Sequence, residues 1–498
     1  METATQRLHR LTSYEPGHDW DAPVDDPAVV QDLQVNDLAR LPWFFKRYPP
    51  GRSRLPLPRQ LPRTAAPAVD VLAGTAEAPP GPLDLPHLSR LLYWSAGVVR
   101  TMDRPYGTHP FRAAGSAGGR FPLELYAAVP EGSTVPEDAV LPEDAVPEDA
   151  VLPVGAALPP GVHWYDPLEH ALVRVGPAPR GDAPAIVVTG VPWRTGWRYR
   201  ERGYRHVYWD AGTMLAQLLA LADSAGLSAA LYTRFPDAAV AALVGADRVH
   251  EIPVAVVGLG GGSPALHGTG PAVAGGVDAV PVEFPLVTAA QRAGEDDQMG
   301  RPWERGAPGR VPVRAPEPLE SVIAVRGSQR RMDGTRGLTL DVLRTAMGVA
   351  LRGVGLPHWV VAHDVAGLPG GVYRWPDLAT PVRAGALRGE LHRICLDQAL
   401  ARDAAFVTVA AASVSALSDR EYREAHLAAG LAEGRLHLAA YALGASASGM
   451  TFLDSEVPSL LGEPVDALLF TCVGVPEYQA AAAGPPGAPN RVHPVRPR

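Results

Sequence analysis

The sequence predicts an α+β protein in which two like units share one chain, and three observations predict it. Elements read off hydrophobic periodicity recur in one order in both halves: helix, strand, aromatic hairpin, strand, long helix, strand. The hairpin segment GVHWYDP (161–167) is echoed by GGVYRWP (370–376). Two long helical stretches, 204–227 and 422–443, occupy corresponding places.

Composition narrows the classes. A chain of 498 residues with 46% hydrophobic content has room for two or three ordinary cores. The net charge of −8 argues against nucleic acid as a partner. No apolar run is both long and unbroken enough to cross a membrane. Residues 1–10 lack the apolar stretch of an export signal, so the chain reads as cytoplasmic. Cys395 and Cys472 lie far apart in apolar segments, which excludes a disulfide framework and a cysteine-rich metal site. No metal is expected. Lys46 is the sole lysine, which bears on the chemistry below.

Taken in order, residues 1–80 are proline-rich and form an arm around the aromatic island 43–50. The first unit spans 81–262. Its helix falls at 88–100, with Leu88, Leu91, Leu92 and Val98 near one face, followed by a strand at 121–129. A disordered insertion at about 132–155 repeats Pro-Glu-Asp-Ala-Val. Two short strands at 161–175 surround an Asp-Pro turn, and 185–190 is a buried strand. Residues 191–202 read as a turn crowded with tryptophan and arginine, and 252–259 closes the unit as a strand. Residues 263–318 are a glycine- and proline-rich linker. The second unit, 319–485, carries a helix from Leu338, strands at 359–363, 404–411 and 467–474, and a glycine-led loop at 449–454. A short tail, 486–498, is read as a solvated end, with Arg491 as a minor candidate for an anion.

The stretch with most chemistry is Arg326-Gly327-Ser328-Gln329-Arg330-Arg331. Guanidinium groups grip a phosphate bidentately and a serine hydroxyl adds a donor. Placed ahead of the helix from Leu338, the motif would also gain from a helix N-terminus. A solvated basic turn would look the same in isolation. In the first unit, FRAAGSAGG (111–119) puts small residues before a strand, where a backbone can approach a flat ligand closely. His206, His426 and His437 have no partner at metal-ligand spacing and read as core or surface histidines.

Those segments, with VTGVPWRTGWRYRERGYRHVYWDAG (188–212), AHLAAGLAEGRLHLAAYALGASASGMTFLDSEVPSLLG (425–462) and CVGVPEY (472–478), resemble the FMN-dependent nitroreductase superfamily. Within it they are most similar to the thiazole/oxazole-forming peptide dehydrogenases of SagB type. The resemblance implies a mostly antiparallel sheet flanked by helices in each unit, and FMN between two units. It implies phosphate contacts from Arg326, Ser328 and Arg330, a flavin-edge loop of Gly449, Met450 and Thr451, and a facing loop of Arg112, Gly115, Ser116 and Ala117. Gly115 stands where the family usually has proline. The first half has the facing loop without the arginine motif, since 65–82 is a proline-alanine stretch there. The second half has the motif, but 353–358 offers no small-residue loop. The two halves are therefore expected to dock as an intrachain pseudo-dimer, monomeric or weakly oligomeric, with one flavin site.

The implied activity is oxidation of thiazolines or oxazolines in a ribosomally made precursor peptide to azoles, with hydride to flavin N5 and reoxidation by O2. A cyclodehydratase is the further partner implied. Many relatives use a Lys-Tyr pair to take the acidic proton; here the counterpart is Arg198-Tyr199. Arginine stays protonated and is no base near neutrality. Tyr199 could accept the proton with Arg198 stabilising its phenolate; Arg198 could be purely structural; water or Tyr204 could serve instead. Two other activities stay open: an NAD(P)H-fed flavin reductase acting on a small molecule, and a flavin-binding scaffold without catalysis.

Overall fold

A computed structural model describes residues 2–17, 29–30, 33–132 and 157–497. The acidic repeat lies outside the described residues. Two antiparallel sheets organise the chain. The first has seven strands in the order Arg54–Pro56, Ala171–Gly176, Gly161–Asp166, Leu123–Val129, Ala185–Gly190, Ile252–Leu259, Ala229–Tyr232. The second has six, in the order Arg383–Ala384, Gly371–Arg374, His358–Ala362, Phe406–Ala412, Asp466–Gly474, Ser446–Met450. The central strands of both are buried along their whole length, which is why they read as apolar β-branched runs rather than alternations. The α+β class and the antiparallel sheets are as expected.

Between the sheets lie two long helices, Gly203–Ser224 and Asp419–Ala442, buried over nearly all their surface. They cross with backbones almost touching. A Cβ placed on Gly212 would sit 2.2 Å from Leu427 O, and one on Gly430 would sit 2.3 Å from Trp209 O. Glycine at these positions is what lets the two units share one core. The second long helix starts at a Ser418/Glu421 capping box.

Four expectations are corrected. Residues 191–202 are not a turn: Pro192–Tyr199 is a helix continued by a 3-10 turn, with Pro192 in the first turn. Trp193 and Trp197 are buried there, and Phe284 packs where a side chain on Gly196 would go. The basic motif does not precede a helix N-terminus. It follows the helix Leu319–Val325, and the next helix, Leu340–Ala350, is capped by Thr339. Gly449 and Met450 are strand residues, and the loop begins at Thr451. The tail is not simply solvated, because Asn490–Arg491 pairs in parallel with Val98–Arg104 and Arg491 ion-pairs with Asp103.

The arm straps both units. Its helix Ala4–Leu11 is tied to the second long helix by Thr5, which donates from N and Oγ1 to Asp419. Farther along, Lys46 is buried in the first unit against Glu251 and the Tyr126 hydroxyl. The linker also packs, through a helix Pro285–Ala293 whose Gln291 accepts from Tyr204 and Tyr208. Among the described residues no helix is long and apolar enough to cross a membrane.

Candidate active site

A cavity of about 580 Å³ opens where the units meet. The first unit contributes Gly115, Ser116 and Ala117, then Arg198 and Tyr199, and Asp210 and Thr213 from the first long helix. The second contributes Ser328 and Arg330, Glu433 and His437 from the second long helix, and Gly449, Met450 and Thr451. Asn36 and Leu38 of the arm, with Arg104 and Tyr106 of the first unit, form part of its wall.

The arginine motif and the small-residue loop adjoin. A Cβ at Gly115 would lie 3.4 Å from Arg326 Nη1, 3.7 Å from Thr213 Cγ2 and 3.8 Å from Ser328 Oγ. Arg326 is 3% exposed and spends Nη2 on Ala113 O at 2.6 Å, while its Nε and Nη1 have no hydrogen-bond partner. Burial lowers its pKa. A buried guanidinium with two unmatched donors is costly unless an acceptor arrives. Gln329 fixes the loop: its backbone N–H donates to Ala447 O, and its side chain donates to Arg331 O and Tyr478 O. Arg330 and Ser328 are left exposed to the cavity. Arg112 stands apart. Its guanidinium donates to Leu123 O of the first unit and Phe44 O of the arm, and it does not line this cavity.

On the opposite wall, Gly118 has φ of 59°, and a Cβ there would fall 2.6 Å from Arg198 Cδ and 2.7 Å from the Tyr199 hydroxyl. The loop therefore lies directly on the Arg198-Tyr199 pair. Burial raises the Tyr199 phenol above its ordinary value and Arg198 only partly opposes this, so the phenol keeps its proton at neutral pH. Tyr199 also packs on His206 at a centroid distance of 4.0 Å, and His206 stacks on Trp209 at 4.6 Å. Burial and neighbouring arginines push His206 well down, so it is neutral.

The sequence reading missed Asp210. It accepts from Ser116 Oγ at 2.5 Å and from Ala117 N at 2.9 Å, and it is 4% exposed. Burial pushes its carboxyl up to about 7 despite those donors, and Glu433 across the cavity adds to the rise. The available signal was a lone carboxylate in a stretch of helix otherwise apolar or aromatic. Asp454 was missed as well. Burial raises its carboxyl, but Arg202 and Arg205 outweigh that and hold it low. Both arginines bond to it at 2.7 Å, tying the first unit to the segment just after Thr451. His206, His426 and His437 are buried, as expected of core histidines, although His206 and His437 also border the cavity.

Comparison with known proteins bears on the fold. Residues 167–261 match the Nitroreductase family. A protein of Anabaena variabilis carrying a nitroreductase assignment superposes with a TM-score of 0.69 at 24% identity, over 96% of this chain and 100% of that one. A Ralstonia eutropha protein with the same assignment covers 45% of this chain and 95% of its own, at 19% identity and a TM-score of 0.31. The E. coli microcin synthetase McbBCD complex, solved with truncated pro-MccB17, covers 48% and 77% at 17% identity and a TM-score of 0.26. The first likeness shows that the fold is nitroreductase-like; scores as low as the other two carry no argument. No curated protein matches the chain.

Proposed function

We propose that the chain is an FMN-dependent dehydrogenase that oxidises thiazoline or oxazoline rings of a ribosomally made peptide to azoles. The observation that carries the cofactor is Arg326: two unmatched buried donors, flanked by Ser328 and Gly115, at the edge of a cavity of about 580 Å³. That donor set suits a phosphate. Arg326, Ser328 and Arg330 would hold the FMN phosphate, Gly115–Ala117 would face the ring, and Gly449, Met450 and Thr451 would border its edge. When bound, FMN supplies a two-electron acceptor, with O2 restoring it. The protein's part is to place the substrate ring, shield it beneath Asn36, Leu38 and Tyr106, and take one proton from the carbon next to the carbonyl. Precursor peptide and cyclodehydratase are the partners that follow from this reading.

The test is purification, an absorbance spectrum, and anaerobic mixing with a thiazoline-containing peptide. We expect about one FMN per chain and bleaching of the flavin by the peptide alone, with oxygen restoring the colour. A colourless protein that takes up no FMN overturns the reading.

One observation favours a second reading, an NAD(P)H-fed flavin reductase. The sole lysine is buried against Glu251, far from use as a base, and Tyr199 holds its proton. Bleaching by NAD(P)H and none by the peptide would select that alternative.

A further inference from the structure

The dehydrogenase reading leaves one proton without an acceptor, because a guanidinium offers no lone pair to take it and burial keeps Tyr199 a neutral phenol. Two carboxylates line the cavity, Asp210 and Glu433. Asp210 is joined to the cavity wall by a hydroxyl: Ser116 Oγ lies 2.5 Å from Asp210 Oδ2, and Ser116 itself lines the cavity. Phe121 N–H donates to the same Oγ at 2.7 Å. A serine hydroxyl has one proton and two lone pairs. Asp210 takes the proton and Phe121 takes one lone pair, so the capacity left is a single lone pair.

We propose that Ser116 and Asp210 form a proton-accepting dyad, in which Ser116 Oγ takes the proton from the substrate carbon next to the carbonyl while its own proton passes to Asp210 Oδ2. This rests on the dehydrogenase reading. The substrate C–H bond breaks and its electron pair stays on the substrate, spread into the adjacent carbonyl. A new O–H forms at Ser116, the old one breaks, and Asp210 becomes a neutral acid. Ser116 is the catalytic residue of the pair. Asp210 acts through it and is a positioning residue.

The surroundings suit the task. A base works best with a pKa near the working pH, and Asp210 sits at about 7. Ala117 N–H holds Oδ1 in place, leaving Oδ2 to the serine. The groups facing the dyad are Tyr199 with Arg198 from the helix Pro192–Tyr199, Glu433 with His437 from the second long helix, and His206 on Asp210's own helix. Burial is what raises the Asp210 carboxyl, and Glu433 adds to that rise.

The experiment uses the FMN-loaded protein with its flavin reduced by dithionite under nitrogen, so that only the proton step can run. The probe is 2-methyl-thiazoline-4-carboxamide in D2O, and the readout is deuterium uptake next to the carbonyl above the protein-free rate. Ser116→Ala and Asp210→Asn should each slow uptake by about 10²- to 10⁴-fold, the usual worth of a placed base. Ser116→Thr and Asp210→Glu should recover part of it, and they serve as the test pair if the first two fail to load flavin. The wild-type rate should rise through a pH near 7, and Asp210→Asn should lose that inflection. Full uptake in Ser116→Ala, or loss in Tyr199→Phe alone, overturns the dyad. A wild-type oxidised protein that never turns over the probe overturns the dehydrogenase reading itself; turnover with uptake indifferent to both variants overturns only the dyad.

Discussion

Replacing Gly430 with alanine tests whether the crossing of the two long helices sets the cavity. The new Cβ would meet Trp209 O at 2.3 Å and Trp209 Cα at 2.7 Å. These are backbone atoms within a helix, so neither can swing aside. Recovering an ordinary contact of 3.4 Å requires the helices to part by about 1 Å. Overpacking of this kind costs about 3 kcal/mol at the upper end, and alanine's better helix propensity offsets about 1 kcal/mol, leaving about 2 kcal/mol. For a chain of this length that lowers Tm by about 2 °C. The cavity suffers more directly, because Asp210 and Thr213 on one helix and Glu433 and His437 on the other flank the crossing. If the whole strain falls on the closed arrangement, flavin binding weakens by about thirty-fold. Thermal melts with and without FMN, and a fluorescence titration of FMN, measure both effects. The control is Gly348→Ala on the helix Leu340–Ala350, where nothing lies within 4 Å of the new carbon. It should stabilise by about 0.5–1 kcal/mol. An unchanged melt and unchanged FMN affinity in Gly430→Ala would refute the reasoning.

Three further outcomes are expected. Arg326→Gln should weaken FMN by about 10- to 100-fold, the worth of a hydrogen bond to a charged group, and leave riboflavin affinity unchanged because riboflavin lacks the phosphate; equal losses for both ligands would place Arg326 elsewhere. Lys46→Met leaves Glu251 as an unpaired buried charge and should cost about 3–5 kcal/mol in urea unfolding, with most of it regained on adding Glu251→Gln. Asp210 should make stability fall with rising pH. Its folded pKa, about 7, lies above the ordinary 3.8, so the folded state binds the extra proton between those values. The contribution is whole below pH 4, declines as pH rises, and is gone above 7, up to about 4 kcal/mol in all. Asp210→Asn should flatten that part of the stability profile, and an unaltered slope would contradict the assignment.

Legibility in the sequence followed burial. The strands Ala185–Gly190 and Ile252–Leu259 could be read to the residue because short β-branched runs between glycine and proline have few alternatives. The long helices were placed within a few residues for a similar reason: length decides between strand and buried helix. Pro192–Tyr199 is hard to read because Pro192, Gly196 and the crowded arginines carry turn signals, although Trp193 and Trp197, four residues apart, share one buried helix face. The linker's helix Pro285–Ala293 is masked by the glycine- and proline-rich segment around it, although its Gln291 is wholly buried. Of the candidate site residues, those in glycine-rich or arginine-serine segments border one cavity, and their chemistry is local enough to be legible in the sequence. Asp210 was not, because its character comes from a loop 94 residues earlier in the chain that no pattern links to it. Arg112 was drawn in by adjacency to that loop, whereas its side chain turns to Leu123 and Phe44.

The asymmetry between the halves has a structural counterpart that bears on stoichiometry. In the second unit the position corresponding to the small-residue loop begins at Gly353, and the linker is laid directly on it. A Cβ at Gly353 would lie 2.4 Å from Glu304 O, and one at Gly306 would lie 2.5 Å from Gly353 N. Backbone already occupies the place where a ligand's ring would need to approach. Arg352 Nη1 lies 2.4 Å from where a Cβ on Gly74 would be, just beyond the helix Ala68–Ala73 of the arm, so the arm packs against this region as well. Linker backbone thus covers Gly353, whereas Gly115 and Ser328 line the cavity beside Arg326. Among the described residues the Arg326–Arg331 motif adjoins Gly115 and not Gly353, so with a shorter connection in place of Glu304–Gly306 quantitation should still return about one FMN per chain, and a value near two would mean that the region around Gly353 binds flavin without that motif.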